Sequence, residues 1–445
     1  MTASRLYEPP AYGPDPIRRC FWTQGLALPD DPPLGGDTSC DVAVVGGGYT
    51  GLNAALTLAK AGLDVVVLEA EYVGFGASGR NGGFCCLGGD KLSQAQLVKR
   101  YGADETHSYR MAQRAAVEHV DGLIAAHGLS VDRHSEGETM LAHRAGALPA
   151  LQAMATEFAQ SHGVAASLLT KEQLPNHGLN GPEFHGALTL PIGFALHPMK
   201  FLLGLRRAAM DAGARIFGQS AVQDFRQENG QWHLRTQTGA LSADRMILAT
   251  NGYSADDRPG WMKSRYLPTQ SNVMVTRVLS QDERDAQGFH STQMCYDSRN
   301  LLHYFRLLPD GRFLFGMRAA TRATQAAFAA TLAAQRRDFA RMFPAWANVE
   351  VPYFWSGLVC TARARVPFAG PMQGLDNAWA GFAYHGNGLA MGSYCGHALA
   401  MQILGRDLKH PLPGFVRAAP RRFELGRFRR ALLPLVYFRY ALADR

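Results

Sequence analysis

The stretch Asp41-Val-Ala-Val-Val45, followed by Gly46-Gly-Gly-Tyr-Thr-Gly51, decides the fold of this chain. The first run is short, apolar and rich in β-branched residues, as in a buried parallel strand. The second run satisfies the pattern Gly-x-Gly-x-x-Gly, in which the chain turns sharply from a strand into a helix. Residues 50–61 carry apolar side chains at helical spacing, and Gly62 predicts the end of that helix.

A second strand is predicted directly after this helix. Asp64-Val-Val-Val-Leu68 is again short and β-branched, and it ends at Glu69, eighteen residues beyond Gly51. A carboxylate at this point can accept hydrogen bonds from ribose hydroxyls. Gly46 permits the tight turn, Gly48 lets the backbone approach a pyrophosphate, and the helix N-terminus offers free N–H groups to phosphates. The whole unit predicts dinucleotide binding.

The glycine pattern alone is weak evidence, because Gly74, Gly76 and Gly79 also satisfy it. No predicted strand precedes this second copy, so only the first copy has the required strand, turn, helix, strand and acid. A structural βαβ unit without a ligand stays open as the alternative.

A glycine-rich segment after the second strand carries a family resemblance. Val73-Gly-Phe-Gly-Ala-Ser-Gly-Arg-Asn-Gly-Gly83 resembles the second flavin motif of the superfamily that includes D-amino-acid oxidase, glycine oxidase and sarcosine oxidase. The branch of the gamma-glutamylputrescine oxidoreductases is most similar. Three later stretches match in order, beginning at His197-Pro198, Arg245-Met-Ile-Leu-Ala-Thr-Asn-Gly252 and Gly381-Phe-Ala-Tyr-His-Gly-Asn-Gly388. The resemblance implies FAD as the cofactor.

The glycine-rich turn and the resemblance together imply a set of FAD-binding residues. They are Gly46, Gly48, Tyr49, Thr50, Gly51, Glu69, Ala70, Gly76, Ala77, Ser78, Arg80, Asn81, Gly82, Gly83, Val222, Thr250, Asn251, Gly252, Gly357, Gly386, Asn387, Gly388 and Leu389.

Candidates for the chemistry are fewer. His385, Tyr304 and Arg306 are the candidate catalytic residues, and Phe84, Tyr266, Tyr304 and His385 are the candidate substrate contacts. Tyr304 and Arg306 share one face of a predicted strand by the period of two, but that face meets either the flavin or solvent. His385 is alternatively a buried, hydrogen-bonded histidine, and Tyr266 a core residue. No metal-binding pattern is present in the sequence.

The implied fold is α/β, with a discontinuous Rossmann-like FAD-binding domain and an inserted α+β substrate domain built on a mixed or antiparallel sheet. A predicted hairpin, with strands at 302–308 and 313–316 joined by Pro309-Asp-Gly-Arg312, supports the inserted sheet. The predicted segments are an N-terminal extension (1–35), the FAD-binding domain (36–115, 185–250 and 350–410), the substrate domain (116–184 and 251–349) and a basic C-terminal tail (411–445).

The resemblance implies oxidation of a carbon–nitrogen bond in a small amine or amino acid. A hydride moves to flavin N5, the imine product hydrolyses, and oxygen or another acceptor reoxidises the flavin. One alternative is an FAD-dependent hydroxy-acid or polyol dehydrogenase that passes electrons to a quinone. A flavin-binding or tRNA-modifying subunit and an NAD-only dehydrogenase are less consistent with the motifs.

Two positions depart from relatives in the superfamily. Sarcosine oxidases carry a lysine that promotes reaction with oxygen, and Leu314 stands at the aligned position here. Some relatives attach FAD covalently through a cysteine, and Cys360 lies two residues from that position. A buried free thiol is the commoner state of such a cysteine, so we expect FAD to be bound without a covalent link.

The distribution of charge limits the kinds of partner that we expect. The formal net charge is +8, but residues 405–445 hold ten basic and three acidic residues, so the remaining 35 basic and 34 acidic residues nearly cancel. We therefore expect no nucleic-acid partner. The basic, apolar tail is either a peripheral membrane or partner contact, or a helix packed on the body with its arginines in water.

Seven cysteines without a paired spacing favour a reducing compartment, and we expect the cytoplasm. The oligomeric state is not predicted.

Overall fold

The computed structural model describes residues 4–14, 19–318 and 320–444. Parts of the predicted N-terminal extension and the last residue of the tail therefore lie outside the described residues. Strands β1 to β18 are Gly36–Val45, Val65–Leu68, Phe84–Cys85, Glu138–Leu141, Ser167–Thr170, Gly186–Leu190, Phe194–Ala195, Arg215–Phe217, Asp224–Glu228, Gln231–Arg235, Gly239–Leu248, Leu267–Val278, Met294–Asp297, His303–Leu307, Arg312–Arg318, Tyr353–Thr361, Phe368–Pro371 and Ala378–Phe382. Helices α1 to α10 are Tyr49–Lys60, Gln94–Tyr101, Ala103–Ala126, Leu148–His162, Pro198–Asp211, Gln281–Gln287, Gln325–Met342, Ala390–Ile403, Gly414–Arg417 and Leu433–Ala443.

The first large sheet has the strand order β17-β18-β11-β1-β2-β8, with β10 and β9 added beside β11. Strand β1 pairs in parallel with β2 and β11, and β2 pairs in parallel with β8. Helix α1 contacts β1 and β2 on one side and α5 and α8 on others, which together bury its apolar side chains. The predicted strand, turn, helix and strand are all present, and the Rossmann-like α/β fold is confirmed.

The second large sheet has the order β16-β12-β15-β14-β13-β4-β6-β5. Its pairings are antiparallel except for β13 with β4, so the sheet is mixed. Strands β14 and β15 form the predicted hairpin, with Tyr304 opposite Gly316. One face packs with α7 around an aromatic cluster that includes Phe305, Phe315 and Phe339. The other face turns toward the first sheet.

The proposed division into domains needs adjustment at its boundaries. The predicted FAD-binding segments 185–250 and 350–410 begin with strands β6 and β16, and both strands belong to the second sheet. The predicted boundary at 115/116 falls inside the continuous helix α3. Local patterns indicate where strands occur, but pairing with distant strands decides which sheet they join.

The C-terminal tail packs on the body through a few polar contacts. Arg429 is only 1% exposed and donates hydrogen bonds to both carboxylate oxygens of Asp256, at 2.6 and 3.2 Å. Asp444 accepts hydrogen bonds from the backbone N–H groups of Asn300, at 2.7 Å, and Leu301, at 3.0 Å. The expectation that a packed tail keeps its arginines in water is thus wrong for Arg429, because a buried carboxylate pairs with it. No helix in the described part of the chain is long and apolar enough to span a bilayer.

Candidate active site

One cavity of about 470 Å³ lies between the two large sheets. Its walls come from the carboxyl ends of β1, β2 and β11, from the loops after β2 and β18, and from the inner face of the second sheet. The predicted FAD-binding residues line this cavity with the exception of Gly51, Gly83 and Gly252.

The first glycine-rich turn joins β1 to α1 at one end of the cavity. Gly46 has φ +109° and donates its N–H to Leu68 O at 2.9 Å. A Cβ on Gly48 would lie 2.8 Å from Ser78 Oγ, and a Cβ on Gly51 would lie 1.9 Å from Gly46 O. Gly51 therefore packs the helix against the turn behind the cavity wall, which is the packing function of the third glycine in this motif.

Gly83 and Gly252 are corrections to the predicted cofactor set. Gly83 has φ +74°, and a Cβ there would lie 2.1 Å from Leu196 O. A Cβ on Gly252 would lie 3.2 Å from both Leu358 Cβ and Leu358 O. Both glycines allow close backbone contact behind the cavity instead of lining it.

Glu69 closes β2 and borders the cavity. Its carboxylate accepts a hydrogen bond from Gly47 N–H at 2.7 Å and another from Glu71 N–H at 3.2 Å. Burial raises the pKa of this carboxyl, while those two N–H donors lower it. The acid therefore holds the shape of the phosphate turn and remains at the cavity wall, where ribose hydroxyls can reach it.

The second glycine-rich loop places a buried cation beside the cavity. Arg80 is 2% exposed and donates from Nη1 to Ser356 O at 3.3 Å. Its Nε and Nη2 atoms are buried without a hydrogen-bond partner. Asn81 braces the loop by donating to Ser78 O at 2.7 Å and accepting from Gly83 N–H at 2.8 Å. Unused guanidinium donors at a cavity wall fit an anionic ligand such as a pyrophosphate.

Other buried polar atoms around the cavity also lack partners. These atoms are Tyr253 Oη, His385 Nδ1 and Asn387 Oδ1. Buried polar atoms in native proteins are normally hydrogen-bonded, so these groups indicate a polar ligand with several donors and acceptors. The glycine turn, the acid after β2 and these unpaired atoms fit FAD along the length of the cavity.

Parallel strands joined to a helix through this glycine turn are typical of dinucleotide-binding enzymes. The second glycine-rich loop indicates that the dinucleotide is a flavin. The chain belongs to the family described as FAD dependent oxidoreductase, which matches residues 41–402. It is an FAD-dependent oxidoreductase, and the predicted family and cofactor are confirmed.

Individual relatives agree with this membership. The probable oxidoreductase OrdL of Haemophilus influenzae is 32% identical over 381 residues, which cover 84% of this chain and 85% of the relative. The gamma-glutamylputrescine oxidoreductase of Escherichia coli is 29% identical over 386 residues, which cover 84% of this chain and 88% of the relative. Among solved structures, glycine oxidase from Geobacillus kaustophilus superposes with a TM-score of 0.70 at 19% identity, covering 86% of this chain and 99% of its own.

Two candidate substrate contacts form an aromatic wall of the cavity. The rings of Phe84 and Tyr304 meet edge to face with centroids 5.7 Å apart. The hydroxyl of Tyr304 is hydrogen-bonded to Ser271 Oγ at 3.0 Å. The face of β14 that carries Tyr304 thus turns to the cavity and not to bulk solvent.

His385 lies in the loop after β18 and lines the same cavity. Its φ is +52°, its Nε2 accepts a long hydrogen bond from Ala362 N–H at 3.5 Å, and its Nδ1 is unpaired. Burial and the positive charge of Lys91 lower the pKa of His385 to about 3. The imidazole is therefore neutral at physiological pH.

Arg306 and Tyr266 are corrections to the predicted chemistry, because neither lines the cavity. Arg306 shares the strand face of Tyr304 but lies deeper, where it donates to His134 Nε2 and Leu196 O, both at 2.8 Å. Tyr266 donates from its hydroxyl to Ser254 O at 2.6 Å within the core of the first sheet. Their roles in the described structure are buried hydrogen bonding and packing.

Charged and polar cavity residues that the sequence did not predict include Lys91, Glu138, Tyr296 and Arg318. Arg318 donates to His385 O at 2.8 Å, and the period of two along β15 (Leu314, Gly316, Arg318) is the signal that could have found it. Lys91 keeps an exposed side chain and borders the cavity. The charge of Arg318, followed by burial, lowers the pKa of Lys91 to about 7.

Leu314 and Cys360 are the two residues at which the sequence analysis compared this chain with its superfamily. Leu314 is fully buried in the apolar core and is not part of the cavity wall. Cys360 borders the cavity as a free thiol, and burial raises its pKa to about 12. A thiol held in the protonated form is a poor nucleophile, which disfavours covalent attachment.

Proposed function

We propose that the protein oxidises a carbon–nitrogen bond of a small amine or amino acid. The observation that carries the proposal is the aromatic wall of Phe84 and Tyr304, with neutral His385 in the same cavity as the FAD-binding turn. The amine substrate named for the Escherichia coli relative, which is similar over 84% of this chain, supports the same class.

The chemistry that FAD supplies when bound is acceptance of a hydride at flavin N5. Phe84 and Tyr304 form an apolar surface that excludes water and orients the carbon that reacts. A neutral amine that loses a hydride from carbon becomes an iminium ion, so no side chain has to remove a proton in that step. Water then hydrolyses the iminium to a carbonyl compound and a smaller amine or ammonia.

Lys91 and Arg318 add positive charge to the cavity beside His385. The positive charge of Arg318 and of protonated Lys91, which the neighbouring Asp90 carboxylate offsets in part at Lys91, favours a bound anion, such as a substrate carboxylate or the anionic form of the reduced flavin. It also disfavours protonation of an amine close by, which keeps the reacting nitrogen in its neutral form.

The test is an anaerobic absorbance titration of the FAD-loaded protein with primary amines, secondary amines and amino acids. The proposal expects at least one of them to bleach the flavin bands. Rapid recovery in air identifies oxygen as the acceptor, and slow recovery identifies another acceptor. If hydroxy acids or polyols bleach the flavin and amines do not, the alternative dehydrogenase replaces the proposal.

A peripheral contact between the tail and an anionic bilayer is the second part of the proposed function. Among the described residues, eight of the thirteen exposed large apolar side chains lie in the tail: Leu425, Phe428, Leu432, Leu435, Val436, Phe438, Tyr440 and Leu442. Exposed arginines in the same segment are Arg421, Arg422, Arg427 and Arg439. Apolar side chains interleaved with cations suit an anionic lipid surface.

The position of the tail favours the delivery of electrons to a membrane acceptor. Tyr437 is hydrogen-bonded to Thr269 and lies close enough to Arg318 to affect its pKa. Asp444 holds α10 to Asn300 and Leu301, next to the cavity-lining Leu302. Helix α10 thus packs close to Leu302 and Arg318, two residues of the cavity wall.

Flotation with vesicles of equal parts phosphatidylcholine and phosphatidylglycerol tests this contact. We expect the FAD-loaded chain to float with the vesicles at low salt and to float less at high salt. The double variant Leu435→Ser with Phe438→Ser should remain in the bottom fraction. The matched control, Val98→Ser with Leu168→Ser, changes exposed apolar residues elsewhere and should float normally. A dimer in solution that the tail variant disrupts, without flotation of the natural chain, would assign the patch to self-association instead.

A further inference from the structure

Arg306 is a buried cation directly behind the aromatic wall. It lies on β14 two residues beyond Tyr304, is 0% exposed and does not line the cavity. Its guanidinium carbon is 5.8 Å from the centroid of the Phe84 ring, and that ring does line the cavity. Phe84 is therefore in contact with both the buried charge and the space where a ligand binds.

The guanidinium also holds the loop that leads into Phe84. Arg306 Nη2 donates to Leu196 O at 2.8 Å, and the Leu196 N–H donates to Gly83 O at 2.9 Å. A Cβ on Gly83 would lie 2.5 Å from Arg306 Nη2, so the missing side chain of glycine lets the loop pack this closely. Arg306 thus fixes the position of Phe84 through the backbone as well as through the ring.

The charge of Arg306 lacks a paired carboxylate among the described residues. Its Nη1 donates to His134 Nε2 at 2.8 Å, and its Nε is buried without a partner. The acid that acts on it from a distance, Asp132, is itself paired with Lys200 at 2.8 Å. Burial and the charge of Arg306 lower the pKa of His134 to about 4, so this hydrogen-bond partner is neutral.

The guanidinium stays protonated at physiological pH. Burial lowers the pKa of Arg306 to about 9, which is still above neutral pH. A buried charge without an opposite charge is costly for stability, and perturbed groups of this kind cluster at functional sites. Arg306 is therefore a permanent positive charge whose field extends into the cavity.

The strength of this field at the aromatic wall follows from the distance. A ligand atom that packs on the face of the Phe84 ring lies about 4 Å from its centroid, and so no more than about 10 Å from the guanidinium carbon. Two unit charges at that separation, with an effective dielectric constant of about 20, change a binding constant about tenfold. An ammonium ion at the wall is disfavoured by this factor, whereas a neutral amine is not.

From these observations we propose that Arg306 is a positioning residue that sets the charge preference of the aromatic wall. It holds Phe84 in place and makes the wall bind neutral ligands in preference to ammonium ions of the same shape. The reacting amine is then bound uncharged, in the form that becomes an iminium ion when its carbon gives up a hydride to the flavin. This inference rests on the proposed amine oxidation and assigns a role in it to a residue outside the cavity.

Binding of two isosteric probes to the FAD-loaded protein tests this preference without turnover. Choline and 3,3-dimethylbutan-1-ol have the same shape, but choline carries a quaternary nitrogen in place of a carbon atom. Binding is followed by the perturbation of the flavin absorbance under anaerobic conditions. We expect Arg306→Met to shift the ratio of the two dissociation constants about tenfold toward choline, relative to the natural protein.

Two variants serve as controls. Arg306→Lys keeps the charge and should keep the natural ratio. Arg133 is exposed, packs with its guanidinium carbon 4.1 Å from the Phe194 ring centroid and does not line the cavity, so Arg133→Met should also leave the ratio unchanged. If Arg306→Met does not retain FAD, Arg306→Gln replaces it, because glutamine keeps a donor for Leu196 O and lacks the charge.

The outcomes separate charge from packing, and this inference from the proposed function. An unchanged ratio in Arg306→Met overturns the inference even if both probes bind more weakly, because a packing defect affects both alike. Choline that binds to neither protein overturns it as well. A shift in Arg306→Met that Arg306→Lys does not show, found together with a flavin that no amine bleaches, supports the charge preference and overturns amine oxidation.

Discussion

At the scale of single residues, one carboxylate connects the glycine turn to the cofactor. The Glu69 carboxylate accepts hydrogen bonds from two backbone N–H groups, one in the turn after β1 and one in the loop after β2. The same side chain borders the cavity at the end of β2. Its loss therefore weakens both the preformed shape of the phosphate turn and the contacts available to a ribose.

Glu69→Gln should weaken FAD binding by about 1–3 kcal/mol, because an amide oxygen replaces a charged acceptor and an amide N–H faces a backbone donor. The measurement is a fluorescence titration of FAD into the FAD-free protein. Glu228→Gln, at the exposed end of β9, is the control and should bind FAD normally. An unchanged affinity in Glu69→Gln would contradict the role given to this acid.

At the scale of elements, a buried histidine joins three parts of the second sheet. His303 at the start of β14 contacts Asp297 at the end of β13, with Nδ1 to Oδ2 at 2.7 Å. Its Nε2 lies 3.3 Å from Asp338 Oδ2 on α7. Burial alone would lower the pKa of His303, but the two carboxylates raise it to about 9.

This shift predicts a loss of stability at alkaline pH. The folded pKa exceeds the usual value of 6.5, so the stabilisation is complete below pH 6.5 and is lost as the pH rises through about 9. The contribution is roughly 3 kcal/mol. The Tm of the natural protein should fall over this range, and His303→Gln should be less stable at pH 6 but flatter with pH. His290→Gln, an exposed control, should keep the natural profile.

At the scale of the whole molecule, the cavity joins the two sheets. Trp355 of the second sheet donates its indole N–H to Arg80 O in the flavin loop at 2.8 Å, and Arg80 donates back to Ser356 O. The two unused nitrogens of Arg80 stay buried in the same place. Cofactor binding should therefore stabilise both sheets together.

Removal of FAD should lower the Tm, and added FAD should raise it in proportion to the logarithm of its concentration. The stabilisation is about 2.7 kcal/mol at a concentration of one hundred times Kd. Arg80→Met should shift this dependence to higher FAD concentrations. A Tm that is independent of FAD would show that the cavity does not couple the cofactor to folding.

Much of the cofactor site follows from the sequence because its parts are local. A strand, a glycine turn and a helix occupy consecutive residues, and their steric requirements are visible in the residue types at Gly46, Gly48 and Gly51. The hairpin of β14 and β15 follows from its turn residues in the same way. These features predict the α/β class and a dinucleotide site without knowledge of distant contacts, and the resemblance of residues 73–83 to a flavin motif adds the cofactor and the family.

The substrate side of the cavity was decided only by the tertiary structure. Glu138, Tyr296, Tyr304 and Arg318 come from four strands whose register brings their side chains to one face. Arg306, two residues from Tyr304, is covered by the backbone of Leu196 and does not reach the cavity. Long-range pairing sets the depth and partners of each side chain, and a pattern along one strand carries no information about the elements that cover it.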